Sequence, residues 1–115
     1  LTNNKSKVAK FIEASIKGWK YAKENKSEAV KLVLKYNSEL DEAHQMAQLE
    51  AALNLIFTGN SLSKGIGYID EKEYKNAENI LFNSGQIKKH IDIKNTYDTS
   101  AWEEVSDVIK SVSAQ

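Results

Sequence analysis

Residues 11–37 read FIEASIKGWKYAKENKSEAVKLVLKYN, two amphipathic helices joined by a polar turn. In the first, Val8, Phe11, Ile12, Ser15, Trp19 and Ala22 recur at helical spacing and mark one face of a helix from near Ser6 to about Glu24. Gly18 lies inside that pattern at a cost of about 1 kcal/mol against Ala. The usual compensation is close approach of another backbone, here beside the Trp19 ring. Asn25 is placed to cap the second helix, with Glu28 completing a capping box. Ala29, Val30, Val33 and Leu34 form its apolar stripe, and Asn37 is a candidate left-handed stop.

Working outward, a third helix opens near Asp41, after Leu40 as a hydrophobic staple, and ends at Gly59. Met46, Leu49, Leu53, Ile56 and Phe57 line one side of it. Trp19, Phe11, Leu49, Leu53 and Ile56 are therefore expected to share one core. Residues 60–69, NSLSKGIGYI, break the helical period and read as a loop with a short extended piece. Either it is a plain connector whose Ile66 and Ile69 plug the core, or it lines a cleft with the exposed aromatic Tyr68. Asp70 and Glu73 form a second capping box, for a helix carrying Tyr74, Ala77, Ile80 and Leu81 that stops at Gly85. Residues 90–100 are irregular, anchored by Ile91, Ile93 and Tyr97. A last helix, capped by Ser100 with Glu103, carries Ala101, Trp102, Val105, Val108, Ile109 and Val112, and residues 113–115 fray. The expected fold is all-α, about five helices in one domain or part of one.

Composition narrows the function classes. The 115 residues carry 16 cationic and 16 acidic side chains, and every cation is Lys. Without Arg there is no bidentate fork for phosphate or base edges, which argues against a nucleic-acid partner. Zero Cys removes disulfides and thiolate chemistry, and zero Pro suits a helical chain. No apolar run approaches the ~20 residues of a membrane span. A leader-like segment is absent, the pattern of a mature chain or a fragment.

No catalytic motif emerges. His44 and His90 sit in different elements, and neither has a metal-ligand residue three or four positions on. The pairs Glu71/Glu73 and Glu103/Glu104 fall in first helical turns, where negative charge complements the macrodipole. Gly65-Ile66-Gly67 lacks the third glycine and the Gly-Lys-Ser/Thr of a phosphate loop. Lys7, Lys10, Lys17, Lys20 and Lys23 flank the first helix's apolar stripe as a solvated rim. No enzyme activity, metal or cofactor is expected. The weak candidates for ligand contact are Trp19, as a stacking surface, and Tyr68.

The phrase Phe11, Ala14, Gly18, Trp19, Tyr21, Ala22, followed by Ala29, Val30, Leu34, Lys35, Tyr36 and Asn37, resembles a family. That family is the solute-binding proteins of nitrate, sulfonate and thiamine-precursor ABC transporters. Ala43-His44-Gln45-Met46-Ala47-Gln48-Leu49-Glu50 and the turn Gly85-Gln86-Ile87 resemble it in matching places, so the likeness runs from about Val8 to Trp102. It implies a two-lobed α/β protein of the periplasmic type II fold, holding a small solute between its lobes and presenting it to a membrane permease. The matched segment resembles the C-terminal helical portion, while the family's sheets and most ligand contacts lie upstream. The resemblance thus implies a periplasmic or extracellular protein that binds solute through residues outside this segment. The same module occurs as the sensor part of membrane signalling proteins. A self-associating helical module, its apolar surface covered by a second copy, stays open.

Overall fold

The computed structural model describes residues 4–112 and is all-α, with seven α-helices and no strand among them. The four long ones are α1 (Lys5–Glu24), α2 (Lys26–Tyr36), α3 (Glu42–Ile56) and α5 (Glu71–Asn83). Short ones are α4 (Asn60–Lys64), α6 (Ser100–Glu103) and α7 (Asp107–Lys110), with a 3₁₀ turn at Ile93–Asn95. The sequence segment expected to fray, 113–115, lies outside the described residues.

Helix α1 is the spine. It packs on α6, α7 and α2, and α2 packs on α3. Ala9 and Ile16 of α1 join Leu53, Phe57, Ile66, Ala101 and Val105 in the core, with Val8, Ile12, Leu49 and Ile56 packed against it. Two expected members are missing. Phe11 is 74% exposed and Trp19 38% exposed. The periodicity was sound, but α1 carries apolar residues on two adjoining faces. The core takes Ala9 and Ile16 with Val8 and Ile12 against it, where α6 and α7 lie, while Phe11 stands in solvent and Trp19 borders open space towards α2 and α3.

The expected caps divide into those held by one carboxylate and those that needed an amide. Asp41 Oδ1 accepts the His44 amide at 2.7 Å and opens α3. Asp70 Oδ1 accepts the Lys72 and Glu73 amides at 2.9 and 3.2 Å and opens α5. At the far end of α5 the Gln86 amide donates to Leu81 O and the Gly85 amide to Phe82 O, with Gly85 at φ +74°. This is the paired hydrogen bonding that a left-handed glycine permits. Asn25, by contrast, makes no side-chain cap to α2. Its Nδ2 donates back to Tyr21 O at 3.0 Å and closes α1. Asn37 is extended at φ −148°, not left-handed; its side-chain oxygen instead accepts the Glu39 amide.

Three further expectations change. Residues 60–64 form helix α4 rather than loop, and α3 stops at Ile56, before Gly59. The final helix breaks in two between Glu103 and Asp107, because Ser106 is extended at ψ 138°. Ser100 does not cap it by side chain: Asp98 Oδ1 accepts the Ser100 amide, and the Thr99 hydroxyl donates to Glu103. On α5, Ile80 faces solvent and the buried residue is Glu78. Among the anchors of 90–100, Ile93 is buried while Ile91 is exposed.

Ile66 does plug the core, and the surrounding chain grips its backbone. Its amide donates to Lys110 O at 2.8 Å, and its carbonyl accepts the Trp102 indole N–H at 2.8 Å. Gly65 lies so close to Lys110 that a Cβ there would stand 2.9 Å from Lys110 Cβ, with φ at +102°.

The core assignment is testable by urea denaturation. Leu53→Ala should cost about 2–5 kcal/mol, whereas Phe11→Ala should stay within about 0.5 kcal/mol. Trp102→Phe, which keeps an aromatic ring but removes the indole N–H and its five-membered ring, should cost at least about 1–2 kcal/mol by leaving Ile66 O unpaired.

Candidate functional site

Two apolar cavities flank the Trp19 ring. One, of about 520 Å³, lies between α1, α2 and α3, with Trp19, Ala22, Val30, Val33 and Leu49 as apolar walls. The other, of about 500 Å³, lies between α1, the end of α3 and the Ile66 loop, with Phe11, Ile12, Leu55 and Ile66 on its walls. Trp19 and Ser15 belong to both. The polar residues at the first are Ser15, Gln45 and Gln48, and no charged side chain lines either. Ser15 spends its hydroxyl on Phe11 O at 2.8 Å, and Gln48 Nε2 meets His44 Nε2 at 3.0 Å. Such a groove offers shape and apolar area rather than a charge clamp.

Gly18 opens onto the same groove. Nothing lies within 4 Å of where its Cβ would be. The close backbone approach expected from the sequence is therefore absent within this chain, and the helix carries a glycine that its own packing does not require.

Tyr68 is placed elsewhere. Its ring tilts against Trp102, centroids 6.0 Å apart, and it lines neither Trp19 cavity. Lys110 Nζ sits 4.1 Å from the centre of the Trp102 ring and 2.9 Å from Asp107 Oδ1. Close by, Tyr74 and Tyr97 pair at 5.0 Å. Burial, then the negative charge of Glu71, raises the Tyr97 hydroxyl above the ordinary tyrosine range. The two residues singled out from the sequence thus fall into separate surroundings.

A third locus escaped sequence reading. Glu78 is 5% exposed, and its carboxylate meets His90 Nδ1 at 3.0 and 3.2 Å and accepts the Ile91 amide at 3.1 Å. The His90 ring stacks on Phe82 at 4.0 Å. A polar cleft of about 450 Å³ opens beside it, with Lys75, Asn79 and Lys94 on its walls. The twelve-residue separation of Glu78 and His90 matches no short motif, so only the turn at Gly85 brings them together. The arrangement satisfies a buried carboxylate and ties the segment after α5 back onto it. Among the described residues no group of three potential ligands could hold a metal ion.

Comparisons with known proteins return no family model, no curated protein and no solved structure that matches the chain.

Tyr21 provides a pH test of the α1–α2 corner. The hydrogen bond to Glu28, then desolvation and the carboxylate's charge, raises its hydroxyl above the ordinary value near 10. Glu28→Gln removes the charge, so the Tyr21 ionisation should move back toward that value. Ultraviolet difference titration of the variant against the parent reads the change, and identical curves would remove Glu28 as the cause.

Proposed function

We propose that this chain is the C-terminal helical part of a solute-binding protein serving an ABC transporter for a small organic or inorganic solute. Solutes of the class are a sulfonate, nitrate or a thiamine-pyrimidine precursor. On this reading the helices brace one lobe, the residues that grip the solute come from the remainder of the receptor, and the closed receptor meets a membrane permease. No catalytic step is assigned to it, and the site of action is the periplasm or cell exterior.

The observation that carries the proposal is surface. The accessible area is 8507 Å², about a third above the ~6,300 Å² of a compact monomer of this mass. The radius of gyration is 16.8 Å, against about 13 Å for a compact chain of this length. Large apolar side chains stand exposed on several elements, among them Leu32 and Tyr36 on α2, Ile80 on α5 and Val108 on α7. A helical layer that leans on a second body accounts for such an excess; a self-sufficient bundle does not. The resemblance of the α1–α2 phrase supplies the identity of that second body. The lack of a charged residue at the Trp19 cavities supports placing solute recognition outside these helices.

A thermal-shift screen with nitrate, taurine-like sulfonates and pyrimidines tests it. The 115-residue chain alone should show no shift. Joined to the α/β lobe that the proposal places before it, the same chain should bind one of these solutes and gain several degrees. A comparable shift on the chain alone, or none with the lobe present, would overturn the proposal.

A further inference from the structure

We propose that the cavity between α1, α2 and α3 binds an uncharged small molecule built on a flat apolar ring system with one polar substituent. The chain shapes this space from three directions. Gly18 and Ala22 on α1, Ala29 on α2 and Ala52 on α3 all line it, so each wall recedes where a larger apolar residue would close it. Nothing lies within 4 Å of a Cβ placed on Gly18. The volume of about 520 Å³ is that of a small-molecule pocket, ~300–1,000 Å³. A glycine inside a helix costs stability; here it keeps room for a ligand.

The lining sets the ligand's chemistry. The Trp19 ring forms one wall and keeps 38% of its surface accessible, a platform for a flat ring. Gln45 lines the same space and is half-buried, and its side-chain amide has no hydrogen-bond partner among the described residues. Gln48, beside it, is engaged by His44. A hydroxyl or carbonyl on the ligand meets the Gln45 amide, which both donates and accepts. Water in the space meets mostly carbon, and an apolar ring displaces it with a gain in free energy.

Two effects exclude charge. No charged side chain lines the cavity, so an anion entering it loses hydration without gaining a partner. Helix α1 carries six lysines against Glu13 and Glu24, which disfavours a cation on the Trp19 ring. Nitrate and sulfonates therefore fall outside this site, and a pyrimidine precursor has more polar edges than one amide satisfies. The site uses residues of this chain alone, so it stands independently of the transport reading. The neighbouring cavity shares Trp19, but its walls Phe11 and Leu55 are 74% and 81% exposed, and a ring lying there stays largely in water.

Isothermal titration calorimetry of the 115-residue chain with naphthol tests the site. Naphthalenesulfonate, the same ring carrying a charge, serves as the comparison at about 0.15 M salt, where exposed lysines are largely screened. Naphthol should bind one-to-one, and naphthalenesulfonate at least roughly 10-fold more weakly for want of a partner to its charge. Gly18→Leu and Ala52→Met, which fill the space from α1 and α3, should each abolish naphthol binding. Gly18 and Ala52 line this cavity and not its neighbour, so the loss assigns the ligand to it. Gly18→Leu should also raise the thermal midpoint by a few degrees, since it removes a helix glycine and fills an apolar gap. Lost binding in a more stable protein then has no unfolding to explain it. Gln45→Leu should weaken naphthol several-fold, while Leu62→Ser, on the exposed side of α4, should leave it unchanged. The ligands differ from those of the solute screen, so either reading can fail without the other. No binding to the parent chain, equal affinity for the charged ring, or unchanged affinity in both filled variants would each overturn the site.

Discussion

The fold depends on how Ile66 is held. The residue is buried in an irregular connection, where an amide and a carbonyl taken from water would each cost about 1–3 kcal/mol if unpaired. Both are paired, and from the same quarter: the amide by Lys110 O and the carbonyl by the Trp102 indole. Lys110 O is free to accept because α7 ends there, Ser111 being extended at ψ 135°. A helix C-terminus leaves carbonyls without intrahelical partners, and one of them meets the connector. The stop of α7 at Lys110 thus turns a terminal carbonyl onto Ile66, while Ala101 and Val105 join Ala9 and Ile16 in the core. Gly65 permits the approach, for any side chain there would collide with Lys110.

That dependence explains which features could be read from residues alone. The caps at Asp41 and Asp70 and the stop at Gly85 are local: the groups that bond lie within five residues of one another, so sequence spacing carries the whole interaction. The all-α class is legible for the same reason, with no proline and long periodic stretches. The phase of α1 was not. Periodicity identifies an apolar side, but where two apolar lines adjoin, only the packing partner selects one. Here the partners are α6 and α7, more than seventy residues away. Ile80 and Glu78 on α5 fail for a related reason. Pattern reading placed the isoleucine inward, whereas the carboxylate turns in because His90 and the Ile91 amide arrive from beyond the turn.

Site reading fared according to the same rule. Trp19 was weighed as core against ligand surface, and the structure gives the ring an intermediate place: it walls two cavities yet keeps 38% of its surface in water. Tyr68, grouped with it as an exposed aromatic in a glycine-containing loop, belongs instead to the Trp102 neighbourhood. The solvated-rim reading of the α1 lysines is closer to the mark, with one of them engaged within the helix and one across to the end of α3. Lys17 pairs with Glu13 at 2.6 Å, and Lys23 lies over the Phe57 ring at 4.6 Å.

Polarity inside this molecule is spent on holding connections. Among the described residues no buried side-chain nitrogen or oxygen lacks a partner. Glu78 fastens the segment after α5, Asp70 divides its two oxygens between the α5 cap and Asn60, and Lys110 rests its ammonium on Trp102 and Asp107. A recognition site for a charged solute needs the opposite: polar groups preorganised and left unpaired until the ligand arrives. The cavities beside Trp19 are apolar and lined by no charged side chain. On the proposed reading, the chemistry that selects a solute enters from residues that these helices support.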